Sequence, residues 1–180
     1  IGIEFASFYN DLGSEVTVVE MLDRIVPVED ADVSTFLEKS LRKQGINIMT
    51  SAGVDAIKVT DAGITATIKD KSGNAATSDF THVIVAIGIV PNTENIGLDG
   101  LADMDRGFIQ IDPYGRTKTK GLWAIGDCTP GPWLAHKASH EGIIAVEHIA
   151  GKNPHPFETW NIPGCTYSRP QVASVGLTEA

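Results

Sequence analysis

The sequence predicts an α/β fold in which a parallel sheet flanked by helices carries an antiparallel meander. Three observations predict it. A helix-periodic run from Gly2 leads into a short β-branched strand that ends on an acid, Glu20. Alternating segments between residues 55 and 80 are divided by turn sequences. The stretch Lys120 to Gly142, KGLWAIGDCTPGPWLAHKASHEG, sets a lone carboxylate between close-approach glycines and a new helix.

The first helix follows from apolar residues at Ile3, Ala6, Phe8 or Tyr9, and Leu12, with Gly13 as its stop. Glu15 to Val19 is then a strand closing on Glu20. A helix, a tight loop and a strand ending in an acid make half of a dinucleotide-binding unit. In the full pattern three glycines precede or open the helix, and an acid about twenty residues on accepts the adenosine ribose hydroxyls. Gly2 fits the third glycine and Glu20 fits the acid. A carboxylate bonds two hydroxyls but repels a ribose phosphate, so residue 20 favours NAD over NADP. Arg24 follows a turn-like Met21-Leu22-Asp23 stretch and reads as a solvated charge rather than a phosphate clamp.

Asp30 or Asp32 can cap a second helix with apolar positions Val33, Phe36, Leu37 and Leu41, ended by Gly45. Ile46 to Thr50 is the next strand. Segments around Asp55 to Thr60, Ile64 to Lys69 and Ala75 to Phe80, separated by Asp-Ala-Gly and Lys-Ser-Gly-Asn, form the meander. His82 to Ile87 is nearly all apolar, as a strand buried on both faces must be, and it stops at Gly88. Further on, Gly107 to Asp112 reads as a strand before a Pro113-Tyr114-Gly115 turn, and Leu122 to Ile125 as a short buried strand. Gly126 then lets a ligand approach the backbone and Asp127 can accept hydroxyl protons. The helix from about Leu134 to Ala150, stopped by Gly151, aims free N–H groups and its positive dipole end at the same place.

Composition narrows the partners. The 180 residues are 42% hydrophobic and 21% charged without a long apolar run, which predicts a soluble globular chain with no transmembrane span or signal peptide. A formal net charge of −9 without a basic, aromatic-interleaved cluster argues against nucleic acid. Cys128 and Cys165 have neither disulfide-framework nor metal spacing, and Cys128 reads as a small buried thiol. His136 and His140, one turn apart, lack a carboxylate or thiolate to complete a metal set, so no metal site is expected.

Taken with Gly2 and Glu20, the runs Ala86 to Asn92 and Gly121 to Gly142 make the chain resemble the dihydrolipoamide dehydrogenase family of pyridine nucleotide-disulfide oxidoreductases over nearly its whole length. The Leu134-Ala135-His136-Lys137-Ala138 continuation carries the lipoamide likeness. The resemblance implies an incomplete Rossmann-like FAD/NAD(P)-binding fold joined to the beginning of an α+β dimerisation domain. It divides the chain into residues 1–91, an NAD domain lacking its first strand, 92–156, the carboxyl part of an FAD domain, and 157–180, the opening of the dimer-interface domain. The chain does not begin with methionine and reads as a piece of a longer one.

By the same resemblance NAD would meet Ile1, Gly2, Glu4, Glu20, Val54 and Gly88, with Glu4 approaching the nicotinamide carboxamide. FAD would meet Asp127, Trp133, Leu134, Ala135 and His136, mainly through backbone N–H groups at the helix end. Ile89 and Val90 stand where many members carry an arginine pair. No catalytic residue is expected here, since the redox cysteine pair would lie upstream of Ile1 and a His-Glu base beyond Ala180. The parent would oxidise dihydrolipoamide on the lipoyl domain of a 2-oxoacid dehydrogenase complex, as a homodimer in cytoplasm or mitochondrial matrix. The alternatives are a soluble transhydrogenase, a mercuric or glutathione reductase, or a non-catalytic nucleotide-binding module.

Overall fold

The computed structural model describes residues 1–178. Glu179 and Ala180, the end of the segment expected to open a dimerisation domain, lie outside the described residues. The chain forms two compact units, one from Ile1–Ile87 with Cys165–Ser174 and the other from Gly88–Gly164 with Val175–Leu177.

In the first unit α1 (Gly2–Asp11) leads to β1 (Thr17–Val19), and α2 (Ala31–Lys43) leads to β2 (Asn47–Met49). The two strands are parallel, with Val18 opposite Ile48, as a helical crossover requires. Gly13, at φ +89, ends α1 by placing its own N–H on the Asn10 carbonyl and that of Ser14 on Tyr9. The α2 start is held less by its Asp30 cap, whose side chain makes no capping bond, than by Ser34, whose Oγ donates to the Ile25 carbonyl at 2.5 Å. Ile3, Ala6, Ile25, Leu37, Leu41, Ile46, Ile48 and Val172 form one buried cluster. Leu37 and Leu41 are fully buried, each contributing about 1.5–3 kcal/mol of burial energy. Phe36, expected on that face, is instead 64% exposed. At the helical period it falls one position off the Val33, Leu37, Leu41 stripe.

The meander forms as expected, β3 (Gly53–Thr60), β4 (Gly63–Lys69) and β5 (Ala75–Phe80) pairing antiparallel in that order. Its first turn needs a glycine. Gly63 sits at φ +139, and a Cβ there would stand 2.7 Å from the Phe80 carbonyl oxygen. The second turn is wound around Asp70, which accepts the N–H groups of Ser72 and Asn74.

The 82–87 run departs from expectation. It pairs with no strand among the described residues, and Ile87 is 93% exposed. A sequence apolar on both sides states what its side chains need, whereas a strand exists only where a neighbour completes the ladder.

The second unit holds β6 (Met104–Asp105) paired with β7 (Phe108–Ile109), a 3-10 turn at Gly126–Cys128, and α3 (Ala135–Ile149). Of the expected 107–112 strand, Phe108–Ile109 alone is laddered. Leu122 to Ile125 is not a strand either, since its sole ladder contact is the isolated bridge between Arg116 and Trp123, and Ile125 is 41% exposed. Asp112 closes the intervening turn, accepting from the Tyr114 and Arg116 backbone N–H groups and from the Arg116 guanidinium. A small core of Ala102, Ile109 and Ala124 lies beneath.

Two last short strands, β8 (Gly164–Thr166) and β9 (Val172–Ser174), pair with each other. The bend between them is tied to α1 at one-turn intervals. Glu4 accepts the Tyr167 N–H at 2.9 Å, the Ser7 hydroxyl accepts that of Arg169 at 3.0 Å, and Asp11 pairs with the Arg169 guanidinium at 2.5 Å. Among the described residues no helix is long and apolar enough to cross a membrane.

Candidate functional site

In the first unit Glu20 follows directly on β1, at the carboxyl end of the parallel pair, where open α/β sheets bind ligands. Its backbone is fixed on both sides. Its N–H donates to the Met49 carbonyl at 2.8 Å and its own carbonyl accepts from Ala52. One carboxylate oxygen accepts the Leu22 N–H at 2.9 Å, which holds the half-buried side chain at the strand end while the other oxygen remains able to accept. Arg24 is not simply a solvated charge. It is half-buried and donates to the Pro27 carbonyl at 3.4 Å.

Gly2 begins α1, and a Cβ on it would touch the Ala86 Cβ at 3.4 Å, so the helix start packs closely on the 82–87 run. Ile1, the helix N-cap, is exposed. Glu4 is engaged rather than open. The Tyr167 backbone N–H holds its carboxyl below the usual carboxylate range against a partial burial that raises it. Val54 is exposed beside the β-bulge that shifts register between Val54 and Ala56. Gly88, at φ +127, falls in the second unit with open space around its α-carbon.

In the second unit Gly126, at φ +79, starts the 3-10 turn that presents Asp127 to solvent. No described residue donates to the Asp127 carboxylate, although its neighbours are all engaged. The first backbone bond of α3 runs from Ala138 to the Leu134 carbonyl, so the N–H groups of Ala135, His136 and Lys137 have no partner within the helix. That is an anion- and dipole-receptive end beside an exposed acceptor. His136 turns its Nε2 to the Pro163 carbonyl at 2.8 Å, so its ring is occupied with the chain itself. Trp133 stacks on Phe108 with centroids 5.0 Å apart and donates Nε1–H to the Thr129 carbonyl. Cys128 is half-buried, its thiol against the Ile125 carbonyl at 3.2 Å.

Three residues in this region escape the sequence reading. Lys137 and Glu141 are 1% and 4% exposed, their Nζ and Oε1 3.0 Å apart. Glu141 also accepts the Gly126 N–H at 2.7 Å, and Lys137 donates to the fully buried Thr129 hydroxyl at 2.9 Å. The signal was present as an i,i+4 Lys-Glu spacing, which ordinarily marks a solvent-facing pair.

Residues 1–142 match the family model described as pyridine nucleotide-disulphide oxidoreductase. A dihydrolipoyl dehydrogenase of Zymomonas mobilis is 55% identical over 99% of this chain, and one of Rhizobium etli is 48% identical over all of it. The chain spans 39% and 38% of those relatives' lengths. Among solved structures, LpdA of Mycobacterium tuberculosis superposes with TM-score 0.86 at 33% identity, over 97% of this chain and 38% of that one. The HOCl-induced flavoprotein disulfide reductase of Escherichia coli gives 0.86 at 26% identity, over 98% of this chain and 40% of its own.

Proposed function

The chain belongs to the pyridine nucleotide-disulphide oxidoreductase family, and from that premise we propose that it carries the NAD half-site and part of the FAD site of a dihydrolipoyl dehydrogenase. The observation that carries the reading is the pair of acidic acceptors, each on its own unit. Glu20 ends a parallel strand, and Asp127 stands exposed ahead of a helix whose first N–H groups are unspent.

The residues fit the two groups. A ribose offers hydroxyls to Glu20, whose remaining oxygen can accept them, and Gly2 lets the α1 start pack closely on Ala86. Asp127 can accept a flavin side-chain hydroxyl, and the Ala135 and His136 N–H groups can take up electron density at a flavin ring edge. A flavin held there supplies two-electron redox chemistry between a dithiol and a nicotinamide. The share of this chain is positional. Glu20 fixes the adenosine end of NAD, Glu4 stays ionised on α1, and the α3 end stabilises negative charge.

In the parent, dihydrolipoamide would lose two electrons and close to the disulfide while NAD takes up a hydride and one proton is released. The proposed electron donor is the lipoyl domain of a 2-oxoacid dehydrogenase complex. The proposed assembly is a homodimer, in bacterial cytoplasm or mitochondrial matrix. The names of the close relatives and the NAD-type acid at position 20 support this substrate over glutathione or mercuric ion.

The test is to purify the complete protein, record bound flavin by absorbance, and follow NADH formation with dihydrolipoamide. Turnover with dihydrolipoamide and NAD is the expected result. A flavin-loaded protein that oxidises another dithiol and not dihydrolipoamide would move it to a different reductase, and one that binds NAD without turnover would make it a binding module.

A further inference from the structure

The Lys137–Glu141 pair has no evident reason to exist as a stabilising device. Taking two charges out of water costs more than an apolar pair of the same volume, and such pairs are frequently replaceable by well-packed hydrophobic side chains without loss. Its partners suggest what it does instead. The Gly126 backbone is held from α3 closely at its N–H and, through Thr129 as intermediary, at its carbonyl. The N–H donates to Glu141 Oε2 at 2.7 Å, and the carbonyl accepts from the Thr129 hydroxyl at 2.7 Å and from Lys137 Nζ at 3.4 Å. Lys137 holds the Thr129 oxygen at 2.9 Å, so the grip is one closed network. Within the turn itself, by contrast, the backbone supplies a single bond, Thr129 N–H to the Gly126 carbonyl at 3.0 Å. A glycine at φ +79 has no side chain to choose its conformation.

The peptide leaving Gly126 is the one that carries the Asp127 N–H. Fixing the Gly126 carbonyl therefore fixes the plane from which Asp127 projects. We propose that Lys137 and Glu141 are positioning residues, which lock the Gly126–Asp127 peptide from behind so that the Asp127 carboxylate is already aimed when a flavin hydroxyl arrives. The inference rests on the flavin reading of this site given above. Preorganisation of this kind lowers the ordering cost of binding, and a slack turn loses affinity without losing any contact.

The experiment is a double-mutant cycle in the complete protein, read by the flavin dissociation constant and by melting of the apoprotein. Lys137→Met with Glu141→Met keeps volume and removes the grip. It should lower the apoprotein melting temperature modestly, since the buried Gly126 N–H loses its acceptor, and weaken flavin about tenfold, the loss of about one hydrogen bond to a charged group. Lys137→Met with Glu141→Gln restores an acceptor for the Gly126 N–H and should recover most of the affinity. In an Asp127→Ala background the double-methionine change should weaken flavin by less than about twofold, because the residue acted upon is gone.

Losses that multiply instead would show that the pair acts independently of Asp127 and would overturn the proposal, as would unaltered flavin affinity in the double-methionine protein. If Asp127→Ala itself holds flavin normally, the flavin reading fails and the proposal falls with it. If Asp127→Ala releases flavin while the double-methionine protein keeps it, the reading stands and the proposal alone fails. Should the double-methionine protein not fold, Thr129→Val removes just the bridging hydroxyl, and the same cycle decides.

Discussion

Glu20→Arg places a cation at the end of β1, where the structure holds a carboxylate by two backbone bonds and one to its own side chain, the Leu22 N–H at 2.9 Å. That tether keeps the charge from swinging out of the way of a ribose phosphate. At about 4 Å, two unit charges cost about 1 kcal/mol in water and about 4 kcal/mol at the effective dielectric of a protein surface. A ribose phosphate carries close to two charges, so Glu20 should reject NADP by at least about 2 kcal/mol, or about thirtyfold. Glu20→Gln separates charge from shape, since a glutamine oxygen still accepts the Leu22 N–H. It should lose about that factor of discrimination while NAD is little affected. Glu20→Arg should narrow the preference further or invert it. Its local cost is small, because Leu22 is 52% exposed and can bond water. The assay is the ratio of kcat/KM for NAD to that for NADP in the complete protein, repeated at rising ionic strength, where the wild-type ratio should fall as the repulsion is screened. A ratio that is the same in wild type and both variants would refute the ribose assignment.

Asp127→Ala should lower the flavin retained through purification, read as flavin absorbance per protein, and undiminished flavin would remove Asp127 from the site. Gly63→Ala should cost about 2 kcal/mol or more in urea denaturation, because its Cβ meets a backbone oxygen at 2.7 Å in a conformation already strained for any side chain. Gly45→Ala, at φ +99 but with open space around it, should cost less, about 1 kcal/mol. At Asp112 burial raises the carboxyl pKa, and the Arg116 guanidinium with the Arg116 and Tyr114 N–H groups outweighs it, leaving the carboxyl below the usual aspartate range. A depressed native pKa stabilises the fold fully above the unfolded value, and the gain disappears as pH falls through the native one. Melting temperatures taken from neutral pH down through the carboxylate range should therefore drop less steeply in Asp112→Asn than in wild type, and parallel curves would show that this turn does not contribute.

What the sequence made legible was local. The meander could be read because Asp-Ala-Gly and Lys-Ser-Gly-Asn end strands by backbone chemistry that needs no distant partner, and Gly63 and Asp70 make those turns by φ and by side-chain acceptance. The ends of α3 were legible for the same reason. The 82–87 and 122–125 runs look like strands in sequence yet form no ladder, because apolar content reports a demand for burial and whether a ladder meets it depends on chain elsewhere. The candidate site divides along this line. Glu20 and Asp127 were visible as lone acids placed after a strand and a glycine, whereas Lys137 and Glu141 were not.

That blindness has a physical cause. On α3 the apolar Ile143, Val146 and Ile149 are 57%, 64% and 57% exposed, while the charged pair is buried. An argument from the apolar stripe looks along Ile143, Val146 and Ile149 and so passes over the buried charged pair on the other side of the helix. At this helix the inward stripe instead answers to a backbone turn, whose N–H is satisfied by Glu141 and whose carbonyl is satisfied by Thr129, itself held by Lys137. The buried salt bridge here thus meets the polar groups of the Gly126 turn and does not belong to an apolar stripe. The same dependence explains why the exposed acid could be recognised from its neighbours in sequence, whereas the residues that hold its turn emerged only with the fold.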